Sequence, residues 1–160
     1  MSLQYVIDGH NITKHNAFTR NFKTHVDLRN ALLPFIKNNH LTGSSKNSIT
    51  IVFDGYPDGS PLGASGNDEV TFSCDISADE KIIKMLEKSP FRKETIVVTD
   101  DRELRFLVRS LGVKVMGVEE FILPKEKLQK NKKDEAETEL TYTQKHNINE
   151  ELKKIWLKEK

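Results

Sequence analysis

The residues best suited to chemistry are acids that recur where apolar runs stop. Asp8 lies in Asp8-Gly9-His10-Asn11, Asp54 in Phe53-Asp54-Gly55, and Asp100-Asp101 follow Val97-Val98-Thr99, while a further pair, Asp79-Glu80, follows Ser77-Ala78. Carboxylates gathered at one place repel one another, and a hard divalent cation is what neutralises such a group. Oxygen donors without thiolate point to Mg²⁺ or Mn²⁺ rather than Zn²⁺. A cation held by few carboxylates retains water, can lower the pKa of that water and can bind a phosphate oxygen, so phosphodiester hydrolysis is the natural reaction.

Each acid also has a plainer reading. Asp-Gly is common wherever a strand turns, which covers Asp8 and Asp54 taken singly. Ser77-Ala78-Asp79-Glu80 has the form of a capping box, and Asp100 with Glu103 can form another. Capping leaves Asp79 and Asp101 without a structural task, which makes them the better ligand candidates. Basic residues that could receive a substrate backbone lie close by in sequence: Lys14, Arg20 and Lys23 after the first acid, Arg102 and Arg105 after the last. Any one of them could equally belong to a solvated face.

Other chemistries find no support. There is no nucleophilic triad pattern, no Gly-x-x-x-x-Gly-Lys phosphate loop and no Gly-x-Gly-x-x-Gly fingerprint. The five histidines lack metal-ligand spacing, and only His10 and His15 adjoin the acids. Cys74 is the only cysteine, which excludes an intrachain disulfide and a thiolate zinc cluster and suggests a reducing compartment.

The elements that must position these acids are legible from apolar patterning. Tyr5 to Ile7, Ile49 to Phe53 and Thr95 to Thr99 read as buried parallel strands, each running into aspartate. Helical spacing appears at Leu28, Leu32, Leu33, Phe35 and Ile36, then at Ile82, Ile83, Met85 and Leu86, and again from Leu104 to Leu111. Alternation of strand and helix predicts crossover units around a mainly parallel sheet, whose ligands bind beyond the carboxyl ends of its strands. Gly112 reads as a helix C-cap, Val113 to Met116 as one more strand, Glu119 to Ile122 as a short helix and Val70 to Cys74 as an edge strand. Gly55 to Asp68, with four glycines and two prolines, reads as a loop over the strand ends.

Beyond Pro124 the chain changes character. Lys125 to Lys145 is rich in Lys and Glu, and Ile148, Leu152, Ile155 and Trp156 then form a helical stripe. The expected organisation is one domain over residues 1–123 and a charged extension over 124–160 ending in an amphipathic helix. With 160 residues the chain has room for one core. Its 25 basic and 24 acidic side chains give a net charge of +1, so any polyanion site must be local. The apolar start, Leu3 to Ile7, is cut short by Asp8, so neither a signal-peptide core nor a membrane span is expected and the cytoplasm is the expected compartment.

Taken in order, Tyr5-Val6-Ile7-Asp8-Gly9-His10-Asn11, Ile51-Val52-Phe53-Asp54-Gly55, Ser77-Ala78-Asp79-Glu80 and Val97-Val98-Thr99-Asp100-Asp101-Arg102 resemble the YacP-like NYN domains of the PIN-like nuclease superfamily. The resemblance covers about residues 3 to 123 and extends less specifically into the charged segment. It implies a three-layer α/β/α fold and metal-dependent RNA cleavage with Mg²⁺ or Mn²⁺. By position, Asp8, Asp79 and Asp101 would be the principal metal-site acids, supported by Asn11 and Asp54. Two positions depart from the pattern: His10 stands where these domains usually have tyrosine, and Asp100 where serine is common, adding either a ligand or a cap. The expected partner is RNA, acting alone or within a ribonucleoprotein assembly, with the oligomeric state left open. The competing reading is a PIN-like module that binds RNA or a ribonucleoprotein without cutting it. A phosphoacceptor receiver domain is disfavoured because Asp8-Gly9 lacks its acidic pair and Met116-Gly117 its lysine.

Overall fold

The computed structural model describes residues 1–59 and 66–123. Five strands form one sheet: β1 (Gln4–Asp8), β2 (Ser48–Phe53), β3 (Glu69–Phe72), β4 (Thr95–Val98) and β5 (Lys114–Met116), in the order β3-β2-β1-β4-β5. All four neighbouring pairs are parallel, with Ile7 opposite Ile51 on one side and Val98 on the other. Among the described residues six α-helices accompany it: α1 (Gly9–Thr13), α2 (Asn16–Thr19), α3 (Leu28–Asn38), α4 (Ala78–Lys88), α5 (Arg102–Ser110) and α6 (Val118–Ile122).

Alternation along the central strands builds the layers. Tyr5 and Ile7 of β1 point into one apolar cluster with Ile12, Phe18, Leu32, Ile36 and Phe121, covered by α1, α2, α3 and α6. Val6, between them, points into a second cluster with Ile82, Leu86, Leu104 and Val108 of α4 and α5. Because successive side chains of a strand alternate between faces, a strand covered on both sides must be apolar throughout, and β4, the run Thr95-Ile96-Val97-Val98, is buried at every position. The result is the expected three-layer α/β/α arrangement, with a sheet that is parallel throughout.

The strand order also fixes where a ligand can sit. The chain leaves β1 towards β2 on one side, and it leaves β3 by way of α4 to reach β4 on the other. The crevice where the winding reverses therefore lies between the carboxyl ends of β1 and β4.

Helices α1 and α2 were not expected, since four or five residues are too few for a periodic apolar stripe. The edge strand expected at Val70 to Cys74 is β3, shifted by a residue or two and parallel to β2. Gly112 has φ of +76°, the left-handed conformation of a helix-terminating glycine. The middle of the expected loop, 60–65, and the charged extension with its stripe at Ile148 to Trp156 lie outside the described residues. By internal contacts the first compact unit is Met1–Ile122. Among the described residues no helix is long and apolar enough to cross a membrane.

Candidate active site

Asp8, Asp54 and Asp101 stand at or just beyond the carboxyl ends of β1, β2 and β4, Asp79 lies in the first turn of α4, and each is set by a helix start. Asp8 ends β1, is only 3% exposed, and is the N-cap of α1. Its Oδ1 accepts the Asn11 amide at 3.3 Å, and its Oδ2 accepts Asn11 Nδ2 at 2.6 Å and the Thr99 hydroxyl at 3.2 Å. A buried carboxylate is tolerable only when such donors replace water. Asn11 then turns its Oδ1 to the Asp100 amide at 3.2 Å, tying the end of β1 to the segment after β4.

Asp101 is the N-cap of α5, its Oδ1 accepting the Leu104 amide at 2.8 Å, and its own amide donates to the Thr99 hydroxyl at 3.1 Å. The cap had been expected at Asp100, with Asp101 free of any structural task. Two adjacent aspartates before a helix leave the register ambiguous by one residue, and the fold takes the second. Asp100 instead caps α6: its Oδ1 accepts the Val118 amide at 3.0 Å, and its Oδ2 lies 3.7 Å from His15 Nε2. Of the ligand and cap roles weighed for Asp100, this geometry favours the cap.

Asp54 follows β2 and serves α4 from outside that helix. Its Oδ1 accepts the Ser73 hydroxyl at 3.0 Å and the Ala78 amide at 3.1 Å, while Ser77 caps the Glu80 amide as expected. Asp79, in the first turn of α4, is therefore aimed by a carboxylate from another strand.

Asp79 also reports the convergence electrostatically. Burial and then the charges of Asp8, Asp101, Asp54 and Glu103, in that order, push its pKa from 3.8 up to about 6. Four carboxylates thus act on a fifth. Helix N-termini offset part of this repulsion, because α1, α4 and α5 each begin beside these acids, with first-turn amides that donate to side-chain oxygens and a positive dipole end. Glu103, read from sequence only as a possible cap, is a member of the cluster. Thr99 and Ser73, the hydroxyls that hold Asp8 and Asp54, carried no sequence signal.

The basic residues are less uniformly placed. His10 packs edge-on against Phe53, with ring centroids 5.6 Å apart. Burial and then Lys14 and Arg29 lower its pKa, against the opposing pull of Asp8 and Asp54. Lys14, and Arg29 on α3, which was not singled out, therefore act electrostatically on His10. Arg102 and Arg105 lie on α5 directly after Asp101. Arg20 is the C-cap of α2 and is exposed, and among the described residues no contact ties it to the acids.

Among the described residues no three His, Cys, Asp or Glu side chains stand close enough to hold a metal ion as they are. The donor chemistry nonetheless suits a hard cation: anionic oxygens only, with burial and then the neighbouring negative charges raising one carboxyl to about 6. The fit rests on this chemistry and not on a preformed cage.

Comparison with known proteins agrees with the fold. The family model described as "YacP-like NYN domain" matches residues 5–159. A solved structure of Rae1 (YacP) from Bacillus subtilis is similar over 98% of this chain and 92% of its own, with 19% identity and a TM-score of 0.57. The W164L mutant of the same protein is similar over 74% of this chain and 71% of its own, with 20% identity and a TM-score of 0.56. No curated protein matches the chain.

Proposed function

Because the chain belongs to the YacP-like NYN domain family, a family of PIN-like nucleases, we propose that it is a Mg²⁺- or Mn²⁺-dependent endoribonuclease. The observation that supports this reading is the hydrogen bonding that ties Asp8 and Asn11 at the end of β1 to Thr99 and Asp100 after β4, where the winding of the sheet reverses, with the raised pKa of Asp79 as an electrostatic sign of neighbouring carboxylates.

Asp8, Asp79 and Asp101 would hold the cation. When bound, a divalent ion supplies an activated water and charge stabilisation for the phosphate. The chain's own groups do the positioning. Asn11 and Thr99 fix both oxygens of Asp8, Asp54 sets the start of α4 and so the direction of Asp79, and the Asp100 clamp to α6 holds the Asp101 turn. Lys14, Arg102 and Arg105 would receive phosphates on either side of the scissile bond, with Arg20 further out.

Purified protein should cut single-stranded RNA with Mn²⁺ or Mg²⁺ and stop with EDTA. Asp8→Asn and Asp79→Asn should remove cutting while melting as folded proteins. Asn11→Ala, which loosens a ligand without removing it, should cost about 10- to 100-fold in activity or metal affinity. Cutting that persists in EDTA and in both aspartate variants rejects the mechanism.

One observation favours a second reading, a module that binds RNA or a ribonucleoprotein without cutting it: no three donors are pre-gathered among the described residues. RNA bound equally well by wild type and Asp8→Asn in EDTA, with no cleavage in Mn²⁺, would select it. Under either reading the expected partner is RNA and the expected compartment the cytoplasm.

A further inference from the structure

The outer face of α5 carries a feature that the acid cluster does not use. Leu104 and Val108 are buried and anchor the helix to the sheet. At about 100° per residue, Phe106 lies about 160° to 200° round the helix from them, at the crest farthest from the core. Its side chain is 73% exposed. Single exposed apolar residues are ordinary, but the neighbours of Phe106 are not. Arg102 and Arg109 stand four residues before it and three after it, on the adjoining turns of the same face, and both are exposed. The helix carries three arginines against one glutamate, a local positive strip in a chain whose net charge is only +1.

The helix begins at the candidate active site, since Asp101 is its N-cap. Phe106 lies five residues on, about 7 Å along the axis. A planar ring between two guanidinium groups suits an unpaired base with a phosphate on either side: the ring stacks, the arginines pair with phosphates, and neither needs a particular sequence. A duplex would hide its bases from the ring.

We infer that the outer face of α5, with Phe106 as a stacking platform between Arg102 and Arg109, is a track for single-stranded RNA next to the acid cluster. The inference rests on the nuclease reading for the identity of its polyanion, but it concerns binding and is tested without cleavage.

The experiment measures binding of a fluorescein-labelled single-stranded oligoribonucleotide to the full chain in EDTA, together with a second oligonucleotide carrying 2-aminopurine. Phe106→Ala should weaken binding by about 5- to 150-fold and relieve the 2-aminopurine quenching that stacking causes, and Phe106→Trp should preserve both. Arg109→Ala should weaken all sequences alike and reduce the salt slope by about 1. Both side chains are exposed, so melting temperatures should not move. Binding by Phe106→Ala within about twofold of wild type, or unchanged quenching, overturns the inference while leaving cleavage by wild type to stand for the nuclease. Loss of binding in Phe106→Ala with no cleavage by wild type does the reverse. Altered self-association of Phe106→Ala with RNA binding intact assigns the face to protein contact and also overturns it.

Discussion

At the scale of single residues, the chemistry depends on keeping like charges together. Asp8, Asp54 and Asp101 each hold a backbone amide or hydroxyl from a helix start, so part of each charge is met by the fold. Among the described residues none donates a hydrogen bond to Asp79, and burial, then the neighbouring charges, raise its pKa to about 6. Folded protein therefore keeps a proton on Asp79 between 3.8 and about 6, where the unfolded chain has already lost it. The folded state binds the extra proton, so the stability contributed by this group is greatest below 3.8 and declines as pH rises to about 6. A cation that occupies the cluster competes with that proton. Mn²⁺ should raise the melting temperature clearly at about pH 7.5 and much less at about pH 5, and Asp79→Asn should flatten the difference. Equal Mn²⁺ stabilisation at both pH values would separate Asp79 from the cation.

At the scale of elements, the site works because turns are tight enough to bring helix starts onto strand ends. Gly9 opens α1 directly after Asp8, and a Cβ placed there would fall 2.4 Å from Phe53 Cε1 and 2.5 Å from Cδ1. Phe53 is fully buried and cannot swing away without disturbing Phe72 and His10. Gly9→Ala should therefore destabilise the fold by about 1–3 kcal/mol, measured by urea unfolding, and displace Asp8 enough to weaken cation binding. Phe53→Leu in the same chain should recover part of that loss, because the overlap is with the ring; strict additivity of the two would refute the overlap. The glycine's place beside an acid was legible in the sequence, but its reason was not, since Asp-Gly reads as a turn and the overlap arises only when β2 lies beside β1. The same division runs through the site. Strands β1, β2 and β4 and helices α3, α4 and α5 were legible because burial on two faces, or on one stripe, writes itself into apolar spacing. Helices α1 and α2 were too short to show a period. The roles of Thr99 and Ser73 depend on partners 91 and 19 residues away in sequence, which no local pattern encodes.

At the scale of the whole molecule, the question is how much chain the site requires. The family match runs to residue 159, yet the acids and the helices that aim them all precede α6. Val118, Phe121 and Ile122 of α6 are buried in the cluster that also holds Tyr5 and Ile7, with the rings of Phe121 and Tyr5 5.9 Å apart. Burying three such side chains stabilises by about 4.5–9 kcal/mol, which is comparable to the whole stability of a small domain, about 5–15 kcal/mol. We therefore propose a domain boundary after α6, near Leu123. A chain ending at Leu123 should unfold in one cooperative transition, and a chain ending at Gly117 should show none, although they differ by six residues. Asp100 adds to the contrast, because the shorter chain also removes the Val118 amide that its Oδ1 accepts, one of the bonds that hold the turn before Asp101. Circular dichroism melts of the two chains decide the matter: a cooperative transition in the shorter chain, or none in the longer, would move the boundary away from α6. A folded chain ending at Leu123 that binds Mn²⁺ but cuts RNA poorly would then assign residues 124–160 to holding substrate, consistent with a molecule whose total charge gives RNA little long-range attraction.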